Sequence, residues 1–254
     1  MVKVDPWGGI DIHRPKAAHN WREFLIEIGT IICGIMIALG LEQAVEAHHW
    51  AGVVEEAKRP VHHELALASV FGEERRARQP CADAYLEDLA RAVVGSPPQW
   101  KPRPIDYCGI PHDTVYAGRW RPWPTEVWRG IEAAGVVPHF DAHYRSQAPF
   151  AFGFVGELGA LSEEETRRAT ELEPLAYPLT LSPETRAGFL KSIAALRLMN
   201  ERAVAYSLNL DGQIAELGEA PTAAERQRWR GEIPYLFVGP GKLLNQSNVP
   251  RSRR

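Results

Sequence analysis

Cysteine is scarce in this chain: three residues in 254, too few for a disulfide-dense scaffold. An excess of one charge sign is missing too. Twenty-nine Lys and Arg stand against 32 Asp and Glu, for a net charge of −3, so there is no broad basic field and bulk nucleic-acid binding is not the default. The common catalytic signatures do not occur: there is no His-Glu-x-x-His, no Cys-x-x-Cys and no Gly-x-Ser-x-Gly. Gly239-Pro-Gly-Lys242 ends like a phosphate loop, but Leu236 stands where the first glycine belongs and Leu243 where Ser or Thr would. Strict apolar–polar alternation is absent, while Ala, Glu, Leu and Arg dominate, so the fold class expected is all-α. Twenty Pro and 21 Gly are too few for a low-complexity chain, and the length is ample for a core.

One segment contradicts the soluble average, a mean hydropathy of −0.27. Phe24 to Leu41 reads FLIEIGTIICGIMIALGL, with Glu27 its only charge. As a helix it covers roughly 27 Å, close to the thickness of a bilayer's hydrocarbon core. Trp21 and Trp50 lie roughly 43 Å apart along a helix, the spacing of the two aromatic belts, and Arg22 joins Trp21 at the inner interface. Arg14, Lys16 and Arg22 precede the span, whereas Glu42 to Glu56 holds no Lys or Arg. The positive-inside rule then puts the N-terminus in the cytoplasm and the rest of the chain across the membrane. A buried core helix and a cleaved signal, with Val45-Glu46-Ala47 as the cleavage site, are the alternatives.

The expected organisation follows from this. Residues 1–20 form a short cytoplasmic tail, 21–43 the membrane helix, 44–237 an extracytoplasmic helical domain, and 238–254 a flexible tail. The helix continues as a stalk that Pro60 kinks and Pro80 ends or bends. Val61, Leu65, Ala68 and Phe71, then Tyr85, Leu86, Leu89 and Val93, mark core-facing stripes, closed at Gly95. Residues 96–124, with seven prolines, read as an extended loop rather than strand or helix. Helices then end at Gly135, run over about 141–175, and run from Ser182-Pro183 to Gly218. A capping box, Thr222-Ala-Ala-Glu225, opens a short last helix. The whole is an antiparallel bundle with a Pro/Trp-rich loop.

Candidate contact residues fall in three places. Glu27, Thr30, Gly34 and Ala38 share one face of the span and suit helix pairing, although Glu27 is also near enough to reach the headgroups. Cys81 and Cys108 form the one cysteine pair available outside the span, either as a disulfide in an oxidising compartment or as two buried thiols. Trp100, Arg119, Trp120, Arg121 and Trp123 offer stacking groups for a partner, or plug the end of the bundle with Arg laid over Trp. Gly153, Gly156 and Gly159 read as a groove for a neighbouring backbone. The pairs His48-His49, His62-His63 and His139/His143 do not assemble three or four ligands in the sequence, so no metal and no cofactor are expected.

Trp21-Arg-Glu-Phe-Leu-Ile-Glu-Ile-Gly29, followed by an apolar helix ending Leu41-Glu-Gln43, resembles a group of bacterial single-pass inner-membrane proteins. These carry an N-terminal anchor and a helical extracytoplasmic domain and have no known activity. The resemblance covers residues 20–60, with Trp123-Pro-Thr-Glu-Val-Trp128 a fainter echo. It implies a place in the inner membrane and brings no catalytic residues. The function expected is non-enzymatic contact with the bilayer and a membrane-protein partner or a second copy, as an accessory subunit or scaffold. The alternatives are an extracytoplasmic enzyme using His112, Asp113 or the His139/His143 pair, and a soluble protein with Phe24–Leu41 buried.

Overall fold

The computed structural model describes residues 20–103, 106–107, 110–111, 115–116 and 121–232. The chain is all-α: α1 (Trp21–Gly95), β1 (Gln99–Trp100), β2 (Asp106–Tyr107), β3 (Ile110–Pro111), α2 (Glu126–Ala133), α3 (Ala142–Thr170), β4 (Leu179–Thr180), α4 (Pro183–Glu216) and α5 (Ala223–Glu232). It divides between Gly52 and Val53 into two units, so α1 belongs to both. The tails expected at 1–20 and 238–254 lie outside the described residues, apart from Asn20.

The first unit is the apolar part of α1. It is long and apolar enough to cross a membrane, with a best eighteen-residue mean hydropathy of 2.3, and none of that stretch is buried.

Pro60 was expected to kink α1 and Pro80 to end or bend it; the helix does not end at Pro80 but runs through both prolines. Each proline forfeits one backbone bond and crowds the preceding turn, at about 3 kcal/mol. Apolar packing after each one offsets this: Val61, Leu65, Ala68 and Phe71 follow Pro60, and Leu86, Leu89 and Val93 follow Pro80, all buried.

In the second unit α1 runs antiparallel to α4. Ser69 Oγ donates to Asp211 Oδ1 at 2.7 Å, Arg75 Nη2 to Asn200 Oδ1 at 2.6 Å, and Arg186 to the Val93 carbonyl, so partners on α4 recede as α1 advances. α3 is antiparallel to α4 by the same logic: Tyr144 near its start bonds Glu219 just beyond α4, and Glu171 just beyond its end bonds Ser192. Along α1 two apolar patches bracket a charged stretch. Ala66, Val70 and Phe71 pack with Trp229 of α5, while Ala82, Leu86, Leu89 and Val93 pack with Trp100, Leu172 and Leu196. Gly72 lets α1 approach α4 closely, since a Cβ there would lie 3.0 Å from the Cβ of Ser207.

The helix ends follow the expected chemistry at several points. Ser182 Oγ accepts from Thr185 N at 3.1 Å ahead of Pro183. Thr222 and Glu225 form the reciprocal box, with Thr222 N donating to Glu225 Oε2 at 2.8 Å and Glu225 N to Thr222 Oγ1 at 3.2 Å. Gly218 (φ 74°) ends α4 left-handed, with Glu219 N bonding the Ile214 carbonyl and Gly218 N the Ala215 carbonyl. Gly135 (φ 71°) ends α2 in the same way.

Two ends are capped from a distance. Thr125 makes no side-chain cap for α2, and Glu64 of α1 supplies it, its Oε1 accepting from Val127 N at 3.0 Å. Burial pushes the Glu64 carboxyl up, with those amides partly offsetting the effect. α1 has no basic residue in its last turn, and Arg186 of α4 donates to the carbonyls of Val93, Ser96 and Pro97.

The segment expected to be without strands contains three short ones. β1 pairs antiparallel with β4, and β2 with β3, two residues on each side. A two-residue strand has no periodicity to read; it exists because loop amides and carbonyls need partners once the loop is packed down. Leu181 N donating to the Pro98 carbonyl at 2.7 Å extends the first pair.

Candidate functional site

Every side chain from Trp21 to His49 is exposed, including Glu27, Thr30, Gly34 and Ala38. A Cβ placed on Gly34 would meet nothing within 4 Å, which leaves that position open to a second helix. Thr30 Oγ1 donates to the Ile26 carbonyl at 2.8 Å, so its hydroxyl proton is used within its own helix. Of the interface residues, Trp21 lies beside Phe24, with ring centroids 5.7 Å apart, and Trp50 is partly buried beside His49. Cys33 is a free, exposed thiol.

Of the residues expected in a Trp/Pro/Arg surface, the described ones face inward. Trp100 is only 4% exposed and its Nε1 donates to the Leu175 carbonyl at 2.8 Å. Trp123 Nε1 donates to Ser162 Oγ at 3.0 Å, and its ring meets Phe71 edge-on at 5.9 Å. Arg121 Nε and Nη2 reach the two oxygens of Glu74 at 2.9 and 3.0 Å, while its guanidinium lies over Phe71. Trp128 is buried and stacked on Phe152 at 5.0 Å. For these side chains the packing alternative describes the structure. Arg119, Trp120, Cys108, His112 and Asp113 lie outside the described residues, and Cys81 is partly buried against the core that holds Leu86.

The glycine groove on α3 is only partly as expected. A Cβ on Gly159 would meet Trp123 at 3.6 Å, but Gly153 and Gly156 face open space.

The charged stretch between the two apolar patches of α1 was not anticipated. Glu165 of α3, 2% exposed, accepts from Arg75 Nη1 at 2.6 Å, Arg75 Nη2 at 2.9 Å and the Tyr116 hydroxyl at 2.9 Å. Asn200 of α4 accepts from Arg75 and donates to Asp83 Oδ1 at 3.3 Å. Glu74, also 2% exposed, takes Arg121 as above and has Arg78 Nε at 3.5 Å. Glu74, Arg75, Arg78, Arg121, Glu165 and Asn200 line a cavity of about 30 Å³, room for one or two waters. Bidentate pairing makes the network a device for fixing helix register. A signal for it was present: Arg75, Glu165 and Asn200 each fall on the core-facing stripe of their helix, where a polar residue demands a partner.

The histidines do not converge on a metal. His139 lies in a short 3₁₀ turn, Val137–His139, and His143 lies on α3 with Asp141 as the N-cap between them. His143 Nε2 contacts the Glu216 carbonyl at 3.0 Å. His62 sits between two carboxylates, Nδ1 2.8 Å from Glu219 Oε2 and Nε2 3.1 Å from Glu225 Oε1. They approach opposite sides of the ring, so they cannot share one ion with it. No group of three or more ligands for a metal occurs among the described residues.

The class of protein these features define is an all-α chain with, among the described residues, one helix long and apolar enough to cross a membrane. No protein-family model, curated protein or solved structure matches it.

Proposed function

We propose that the chain is a single-pass protein of the bacterial inner membrane, with its N-terminus cytoplasmic and its helical bulk periplasmic. It acts without catalysis, through protein contacts, as an accessory subunit or scaffold of a membrane or envelope complex. The observation that carries this reading is the bare apolar helix. Eleven large apolar side chains between Phe24 and Leu41 are 37–69% exposed. Leaving them in water costs on the order of 10 kcal/mol, so lipid or another protein covers them. The Lys and Arg imbalance around the span supports the orientation. On the seam, Gly34 leaves room for close approach and Glu27 offers a polar group, and a Cys81–Cys108 disulfide, expected from the sequence alone, would suit the oxidising side.

Carbonate-resistant sedimentation with membranes is expected, and full solubility without detergent would sink the proposal. A reporter fused after Arg254 is expected to be active only outside the cytoplasm. Affinity purification from detergent is expected to bring down one stoichiometric membrane protein or a second copy. Gly34→Leu is expected to weaken that association with the fold intact. Recovery of the chain as a monomer, alone, would reject the contact role.

A further inference from the structure

We propose that His62 is a proton-operated latch fastening α5 to α1, closed when the imidazole carries two protons and loosened when it loses one. The proposal concerns the second unit alone and does not depend on the membrane reading. Its basis is geometric. Both ring nitrogens lie within hydrogen-bond distance of a carboxylate oxygen, Glu219 at 2.8 Å and Glu225 at 3.1 Å. An ionised carboxylate has no proton to give, so both bonds can exist together only if both nitrogens carry hydrogen. Either neutral tautomer leaves a ring lone pair facing a carboxylate.

Neither carboxylate is free to turn away. Glu219 Oε1 accepts from the Tyr144 hydroxyl of α3 at 3.1 Å, and Glu225 Oε2 is held by Thr222 N and Oγ1, both at 2.8 Å. Burial keeps the Tyr144 phenol protonated, so it remains a donor. The other charged groups nearby are Lys58 of α1, over the Tyr144 ring at 5.7 Å, and Asp141, the N-cap of α3. On α5, Arg226 is committed to Glu73 at 2.8 Å, and His63 meets the Trp229 ring edge-on. Burial alone would lower the His62 pKa; Glu219 and Glu225 outweigh it and raise it.

A raised folded pKa fixes the sign. The latch is fully closed between about 4.5, below which Glu225 begins to lose its contribution, and the ordinary imidazole value of about 6.5, and is lost as pH rises through the folded value. Trp229 and the pairing of Arg226 and Arg230 with Glu73 still hold α5, so release is a local opening at its N-terminus that leaves Trp229 on Ala66, Val70 and Phe71.

The test is amide hydrogen exchange of the full chain in detergent micelles, at about pH 5.5 and about pH 8.5, each corrected for the intrinsic rate. Protection of residues 223–232 is expected to fall about fivefold to tenfold at the higher pH, with α3 and α4 unchanged. His62→Gln is expected to show the weaker protection at both pH values. Glu219→Gln removes one of the two raising carboxylates and is expected to move the midpoint to lower pH. Wild-type protection independent of pH would overturn the latch, as would the wild-type profile surviving in His62→Gln. Should His62→Gln misfold, an unmoved midpoint in Glu219→Gln would overturn it instead.

Discussion

Replacing Glu165 with leucine puts the buried charge network to a quantitative test. The wild-type carboxylate takes two bonds from Arg75 and one from the Tyr116 hydroxyl, and the side chain is 3% exposed against 15% for Arg75. Leucine removes the two bonds from the guanidinium to Glu165 and leaves the one to Asn200. Removing one partner of a buried ion pair costs about 3–5 kcal/mol, a large share of the 5–15 kcal/mol of a typical fold. Arg75→Met is expected to cost a similar amount, because Glu165 loses both bonds from Arg75 in a buried site. The double variant differs from their sum. It strands no charge and loses mainly the Asn200 bond, an effect of about 1–2 kcal/mol. The cycle therefore closes with a coupling of at least about 3 kcal/mol. The assay is urea unfolding of the full chain in detergent by far-UV circular dichroism, with equal m-values as the check on a shared denatured state. A Glu165→Leu variant within 1 kcal/mol of wild type, or a double variant as unstable as the summed singles, would refute the reasoning (a threshold set by the ordinary worth of one neutral hydrogen bond).

Three further outcomes are expected. Arg186→Ala uncaps the end of α1 and should cost about 1–3 kcal/mol, with faster amide exchange concentrated in residues 93–98. Gly72→Ala drives a methyl against Ser207 and should lower stability by about 1–3 kcal/mol, whereas Gly153→Ala, which points into open space, should raise it by about 0.5–1 kcal/mol; thermal unfolding separates the two. The Thr222 backbone and hydroxyl, with His62, draw the Glu225 carboxyl down to about 2, so its contribution is complete above about 4.5 and is lost as pH falls from there toward 2; exchange in α5 should accelerate over that acid range.

Much of the architecture was legible because it depends on short-range chemistry. Ser182-Pro183, Thr222 with Glu225, Gly135 and Gly218 each act within a few residues, and each ends or starts a helix where expected. The stripes on α1 were legible for the same reason: a face repeats every three to four residues whatever it packs against. An end at Pro80 did not follow because the local penalty was outweighed by apolar contacts with residues such as Leu196 of α4, more than a hundred residues away in sequence. The partnerships of Arg75, Glu165 and Asn200, and of His62, Glu219 and Glu225, were illegible for a further reason. Each residue marks only a need for a partner, and the partner is chosen by helix packing. The tryptophans read either as surface stacking groups or as a plug for the bundle's end, and only the packed bundle, with Ser162 and Leu175 as acceptors for Trp123 and Trp100, decides for the plug at those two positions.

The meeting of Trp229 with Ala66, Val70 and Phe71 sets a timetable for making the protein. At a synthesis rate of about 5–20 residues per second, the indole emerges about 8–30 s after the patch it covers. During that interval the apolar face of the first helix waits for α3 and α4 as well, and a sticky surface exposed that long is an aggregation hazard. The last described helix to be made thus finishes the surface of the first. A chain cut short before residue 223 would leave that surface open for its whole lifetime.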